Sequence, residues 1–149
     1  MGDLLLGQEM NYMKERAFVD TNIFVYSYTN YDTNKQVLAE SLLQNIDKKT
    51  DLFISIQVIK EFCATMKKHN TETALLKNYV EEIINSFVVL STRIKTIFKS
   101  IENLNKYNLS WYDTILITTA INNDCKIFYS EDLKNGLIIE NKMTVINPF

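Results

Sequence analysis

The 149-residue chain holds one proline, three glycines, one histidine and two cysteines. Each scarcity removes a class of explanation. The single proline lies in the closing tripeptide Asn147-Pro148-Phe149, and no Pro-, Gly- or Ser-rich tract, charge run or internal repeat divides the rest. The chain therefore reads as one domain without a linker. Glycine is too sparse for the phosphate-cradling loops G-x-x-x-x-G-K-[ST] and G-x-G-x-x-G, and neither occurs. Cys63 and Cys125 do not stand at a metal-ligand spacing such as C-x-x-C. Both are expected as free buried thiols in predicted helices of a protein kept in a reducing compartment. The lone His69 follows Lys67 and Lys68 at the predicted end of a helix, where positive charge suits the helix dipole. No nucleophile or acid accompanies it, so Ser-His-Asp and Cys-His chemistry have no support. No stretch approaches the ~18 apolar residues of a spanning helix. The opening Met1-Gly2-Asp3-Leu4-Leu5-Leu6 lacks the basic region of a signal peptide and the hydroxyl of a myristoylation site. No membrane role and a cytoplasmic location are expected. The formal net charge of -2 gives no global basic field, so contact with nucleic acid would need lysines concentrated locally.

What is present is a hydrophobic fraction of 46%, enough for one domain with a real core. Residues 1–15 read as a leader of unassigned order, with Met10 and Met13 as alternative starts. From residue 16, short apolar runs alternate with amphipathic ones. Strands are expected at Arg16–Asp20, Leu52–Ile54, Val88–Leu90, Lys126–Tyr129 and Met143–Ile146. Helices are expected between them: Asn34–Lys48 with Val37, Leu38, Leu42 and Ile46 inward; Ile56 to about Lys68, capped by Ser55; and Thr71–Phe87. A further helix, capped by Ser91, would carry Ile94, Ile97, Phe98, Ile101 and Leu104 inward. Strand–helix alternation argues an α/β protein with a mostly parallel sheet covered on both faces.

Four acids in this pattern carry the functional argument. The stretch Leu109–Ile121 reads as a helix with Leu116, Ile117, Ala120 and Ile121 on one apolar stripe, and Asp113 falls near the middle of it. An ionised carboxylate there costs several kcal/mol, roughly, unless paired, and the sequence offers no obvious local cation. Asp20 closes the first strand; taken alone it reads first as a helix N-cap. Asp132 follows the fourth strand. Glu61 lies on the flank of the Ile56 helix, where a solvated glutamate is the plainer reading. Parallel strands present their carboxyl ends along one edge, the usual ligand crevice. Carboxylates brought together there must hold protons or share a cation. An all-oxygen anionic set suits Mg²⁺ or Mn²⁺; without cysteine or histidine it does not suit zinc. Arg93, Lys95 and Lys99 read first as a solvated face and second as a phosphate-contacting rim.

Phe18-Val19-Asp20-Thr21-Asn22, Ile59-Lys60-Glu61-Phe62, Trp111-Tyr112-Asp113-Thr114-Ile115 and Tyr129-Ser130-Glu131-Asp132-Leu133, in that order, resemble the PIN-domain family. Bacterial VapC-like toxins of type II toxin–antitoxin pairs are the nearest likeness, and Val145–Phe149 is similar to one subgroup's ending. The resemblance spans residues 16–149. It implies a PIN-like three-layer α/β/α sandwich with about five short strands, and an Mg²⁺- or Mn²⁺-dependent endoribonuclease cutting single-stranded or loop RNA. It implies Asp20 and Asp113 as principal metal ligands, Glu61 and Asp132 as the other two catalytic acids, and Asn22 and Ser130 as supporting polar residues. Glu131 matches nothing and is assigned to the surface. Partners implied are an RNA substrate, with help from Lys60 or Lys95, a second copy of the chain, and a small antitoxin. Phe24, Tyr26, Tyr28 and Tyr31 are candidates for an apolar docking surface, with core packing the first reading for Phe24. A haloacid-dehalogenase-like phosphatase also begins from an Asp at a strand end, but wants a second Asp two residues later, where this chain has Asn22. A non-catalytic PIN-like RNA-binding or scaffolding protein is the alternative outside the enzymes.

Overall fold

The computed structural model describes residues 14–44 and 50–149. Most of the expected leader, and Ile46 with the expected end of its helix, lie outside the described residues. The chain runs β1 (Glu15–Val19), α1 (Thr21–Ser27), α2 (Thr33–Gln44), β2 (Thr50–Ser55), α3 (Ile56–Lys68) and α4 (Thr73–Ser86). It continues with β3 (Val88–Leu90), α5 (Ile94–Tyr107), α6 (Trp111–Asn122), β4 (Ile127–Tyr129), β5 (Ile138–Ile139) and β6 (Met143–Ile146).

The six strands form one sheet in the order β3-β2-β1-β4-β6-β5. All neighbours are parallel except β5, which pairs antiparallel with β6. The two-residue β5 is the strand the sequence reading lacks; so short a segment carries no alternation to detect. From β1 the chain steps through β2 to β3 in one direction, then returns past β1 to β4. With right-handed crossovers, α1–α4 cover one face and α5–α6 the other. The step reverses between β1 and β4, so their carboxyl ends open a crevice at the switch point.

Sheet and helices meet over Phe18, Phe24, Phe62, Phe128, Leu116 and Met143, all buried. Phe18 and Phe128 stack across the β1–β4 pair with centroids 5.2 Å apart. Helix α6 is the central one: every residue from Thr114 to Ala120 is buried. It is thus enclosed on all sides and has no single apolar stripe.

Helix α5 turns the opposite way from expectation. Thr96, Ser100 and Asn103 face in, while Ile94, Phe98 and Ile101 are exposed. The inner residues recur at helical spacing and are small or polar, which suits close approach to α6. There Asn103 Nδ2 donates to Thr118 Oγ1 at 3.2 Å. The residue before α5 is Arg93, with no side-chain cap, so Ser91 does not cap it. In α2, Val37 and Leu38 are exposed and Ala39 is the buried residue. Ser55 caps α3 as expected, accepting from Val58 N at 3.4 Å. Of the four docking candidates Phe24 is core, Tyr26 and Tyr28 pack against the core, and only Tyr31 stands out, beside His69. Cys125 is buried in the turn after α6 rather than in a helix, and Cys63 is half-buried; both are free thiols.

Candidate functional site

Asp20 sits where β1 leaves the sheet, after the wholly buried Ala17, Phe18 and Val19. Its extended backbone makes it the N-cap of α1, so the cap reading holds. Its Oδ1 accepts from Thr21 N at 2.7 Å and its Oδ2 accepts from Ser130 Oγ at 2.7 Å. The residue is 4% exposed. Burial pushes its carboxyl up to about 7; the two hydrogen bonds oppose that rise, and the charges of Asp132 and Asp113 add to it.

Ser130 directly follows β4, one strand away, and is fully buried. While donating to Asp20, its hydroxyl accepts from Asp132 N at 3.1 Å and from Asn22 Nδ2 at 3.4 Å. Asn22, on the first turn of α1, donates to Asp132 Oδ2 at 3.0 Å and accepts from Glu131 N at 3.3 Å. Residues 20, 22, 130 and 132 therefore form one network joining the ends of β1 and β4.

Glu61, on the second turn of α3, joins through Thr21: its Oε2 accepts from Thr21 Oγ1 at 2.8 Å. Its Oε1 accepts from Gln57 Nε2 at 2.8 Å, and the same amide reaches Tyr112 O at 3.3 Å. Glu61 is therefore tied into the site rather than solvated alone. Asp113 lies in the first turn of α6, whose N-cap Ser110 accepts from Asp113 N at 3.2 Å. Burial raises its carboxyl above the ordinary range; the Ser110 hydrogen bond opposes, and Asp132 and Glu61 raise it further. The helix amino terminus favours the ionised form.

The structure thus brings all four acids and both supporting residues to one rim. Among the described residues, none of the ion pairs includes Asp20, Glu61, Asp113 or Asp132. Nor do three His, Cys, Asp or Glu side chains there stand as a ready-formed ligand cluster. The donor set is all hard oxygen and contains a buried carboxylate that no described residue ion-pairs, which fits Mg²⁺ or Mn²⁺ better than a soft metal. Beside the rim, a cleft of about 690 Å³ runs between α3 and α6, lined by Gln57, Lys60, Glu61, Tyr112 and Ile115 among others. Lys60 thus borders the site, whereas Lys95 lines a different hollow with Arg93 and Lys99.

Sequence reasoning missed Thr21, Gln57 and Lys35, and misjudged Glu131. Gln57 stands one helical turn before Glu61, a legible spacing. Thr21 adjoins Asp20. Glu131 is only partly exposed and pairs with Lys35, distant in sequence, and no local pattern announces that contact.

A family model described as PIN domain matches residues 17–134, which include every acid of the rim. The chain belongs to the PIN-domain family. A search of curated proteins found no significant match. Among solved structures, the chain resembles a toxin–antitoxin complex from Klebsiella pneumoniae (TM-score 0.65, 18% identity, 89% of this chain and 98% of that one). It also resembles Mycobacterium tuberculosis VapC20, described as a sarcin-ricin loop cleaving toxin (TM-score 0.64, 14% identity, 75% and 86%). A third is VapBC2 of Rickettsia felis bound to promoter DNA (TM-score 0.55, 17% identity, 77% and 86%). At these identities the likeness is one of fold: this is the PIN fold as VapC toxins carry it. No helix among the described residues is long and apolar enough to cross a membrane.

Proposed function

We propose that this PIN domain is a divalent-metal-dependent endoribonuclease, hydrolysing phosphodiester bonds of single-stranded or loop RNA, and the toxin of a type II toxin–antitoxin pair. The observation that carries the reading is the meeting of Asp20, Glu61, Asp113 and Asp132 at one rim, with none of the four ion-paired among the described residues. Asp20 and Asp113 would be the principal ligands of Mg²⁺ or Mn²⁺, with Glu61 and Asp132 completing the set directly or through water. When bound, the metal would lower the pKa of a coordinated water and offset charge on the scissile phosphate. The chain's own residues set the stage. Ser130 and Thr21 fix the two Asp20 oxygens. Asn22 aims Asp132. Thr21 and Gln57 hold Glu61. Lys60, which lines the cleft beside the rim, is a cation available to an RNA phosphate.

A rim of four acids repels RNA until metal arrives, so RNA affinity should depend on divalent ions. The protein lives, in this reading, in the cytoplasm. The neighbouring complexes from Klebsiella pneumoniae and Rickettsia felis support a small antitoxin as partner. The exposed Ile94, Phe98 and Ile101 of α5 support contact with a second copy. The test is incubation of labelled RNA with the purified chain, with and without Mg²⁺ or Mn²⁺. Metal-dependent cleavage leaving 5′-phosphate ends is expected. Ends carrying 2′,3′-cyclic phosphate, or RNA binding equally tight without metal, would refute the reading. Binding without cleavage would favour the non-catalytic PIN-like alternative.

A further inference from the structure

Asp132 is the exposed member of the rim and sits on a three-residue bend after β4, the position least held by the sheet. The charges of Asp20 and Asp113 act against it. Its neighbour Glu131 points the other way, into the Lys35 ammonium. Lys35 is also 3.2 Å from Tyr26 Oη, and its Nζ lies 4.7 Å from the Tyr26 ring centroid and 5.3 Å from that of Phe149. The two rings pack edge to face at 5.0 Å. Lys35 is anchored in turn by Asp32, whose Oδ1 accepts from Lys35 N at 3.0 Å and whose carbonyl accepts from Gln36 N at 2.8 Å. Side chains of Lys35 and Glu131 are 26% and 27% exposed. In every other ion pair among the described residues, at least one partner is more than half exposed.

We propose that Lys35, seated on Tyr26 and Phe149, is a positioning residue that grips Glu131 and so holds Asp132 at the rim against the repulsion of the other acids. The proposal rests on the metal-dependent reading of that rim. Glu131 is held twice, by its carboxylate on Lys35 and by its N–H on Asn22. Asn22 also orients the Asp132 carboxylate. The grip therefore reaches Asp132 through the backbone of residues 130–132, and Lys35 itself touches neither metal nor substrate.

The sign of one measurement separates this role from simple electrostatics. Deleting a positive charge near an anionic site should, by field alone, tighten cation binding. Loss of a positioning contact should weaken it, by about ten-fold for an outer residue of a metal site. Lys35→Met keeps the stem and removes the charge, Lys35→Arg keeps the charge, and Lys106→Met is a control that breaks the Lys106–Glu140 pair elsewhere. Mn²⁺ affinity is measured on each folded variant, and amide hydrogen exchange of residues 130–132 on the metal-free proteins. The expected result is Mn²⁺ binding about ten-fold weaker in Lys35→Met, with faster exchange at Glu131 and Asp132. Lys35→Arg should restore both, and Lys106→Met should change neither. Equal or tighter Mn²⁺ binding by Lys35→Met, or unchanged exchange, overturns the proposal. Should that variant not fold, Lys35→Gln, which also deletes the positive charge, takes its place with the same expectations. If the wild-type chain binds no Mn²⁺ yet exchange still quickens in Lys35→Met, the metal reading of the rim fails while the grip on the bend survives.

Discussion

Two regions of this PIN domain break the ordinary partition of side chains in opposite ways. At the ends of β1 and β4, charge goes inside: Asp20 is 4% exposed. On α5, apolar surface goes outside: Ile94 is 77% and Phe98 65% exposed. Both regions also bury neutral polar groups, and there they agree, since those groups are hydrogen-bonded. Ser130 bonds Asp20, Ser100 Oγ donates to Thr96 O at 2.7 Å, and Asn103 reaches Thr118. What differs is the remainder. At the rim the unmet quantity is charge, which a proton or a cation must answer. On α5 the buried side is satisfied and the unmet quantity is dry area, which only another surface can answer. A buried polar residue is thus a pointer to chemistry when its charge is uncompensated, and a packing device when it is not.

The sharpest way to test that contrast is to remove charge at the rim. Asp20→Asn or Asp113→Asn should lower Mg²⁺-dependent RNA cleavage by more than about 100-fold, since even outer residues of metal sites cost 10–100-fold. Cleavage assays beside circular dichroism check it; full activity of either variant would place the chemistry elsewhere.

Stability should move the other way. The Asp20 carboxyl is raised from 3.8 to about 7, chiefly by burial. Between those values the folded metal-free protein holds a proton that the unfolded chain has released. Stability from this group is therefore full below about pH 4 and is lost as pH rises towards 7, by at most roughly 4 kcal/mol. Asp113, raised for the same reason, adds in the same direction. Asp20→Asn should flatten this fall, so the inactive variant should be the more stable one near neutral pH. Urea titrations of both proteins at about pH 4.5 and about pH 7.5 measure it. A wild-type stability that rises over that range would contradict it.

The contrast also explains what was legible in the sequence. Strand–helix alternation, the Ser55 cap and the full extent of α3 follow from local pattern. The four acids could be assembled because parallel strands bring distant ends to one edge, and the motif order adds the family. Among the features that escaped, three have a plain physical cause. β5 is too short to have a period. The Lys35–Glu131 pair joins residues nearly a hundred positions apart. The inversion of α5 escaped because hydrophobic periodicity reports which face is apolar, and not whether that face meets this chain's core or a partner. Ile94, Phe98 and Ile101 do share a stripe; α6, enclosed on all sides and carrying Thr118, receives the polar stripe instead.

Two substitutions on α5 should therefore differ in a way that hydrophobicity alone gets backwards. Asn103→Ala removes a buried donor and leaves Thr118 without it, and should cost about 1–3 kcal/mol in denaturant unfolding. Phe98→Glu adds charge to a residue that is already 65% exposed. It should change the stability of the monomer by no more than about 0.5 kcal/mol. Its effect belongs to association: a second copy seated on α5 would have to bury an unpaired carboxylate, so sedimentation velocity should show dimers dissociating over a concentration range where the wild type holds together. If Phe98→Glu unfolds the chain as severely as a core substitution, α5 is not facing solvent. If it leaves an existing dimer intact, the second copy sits on another surface, and the apolar face of α5 answers to a different partner.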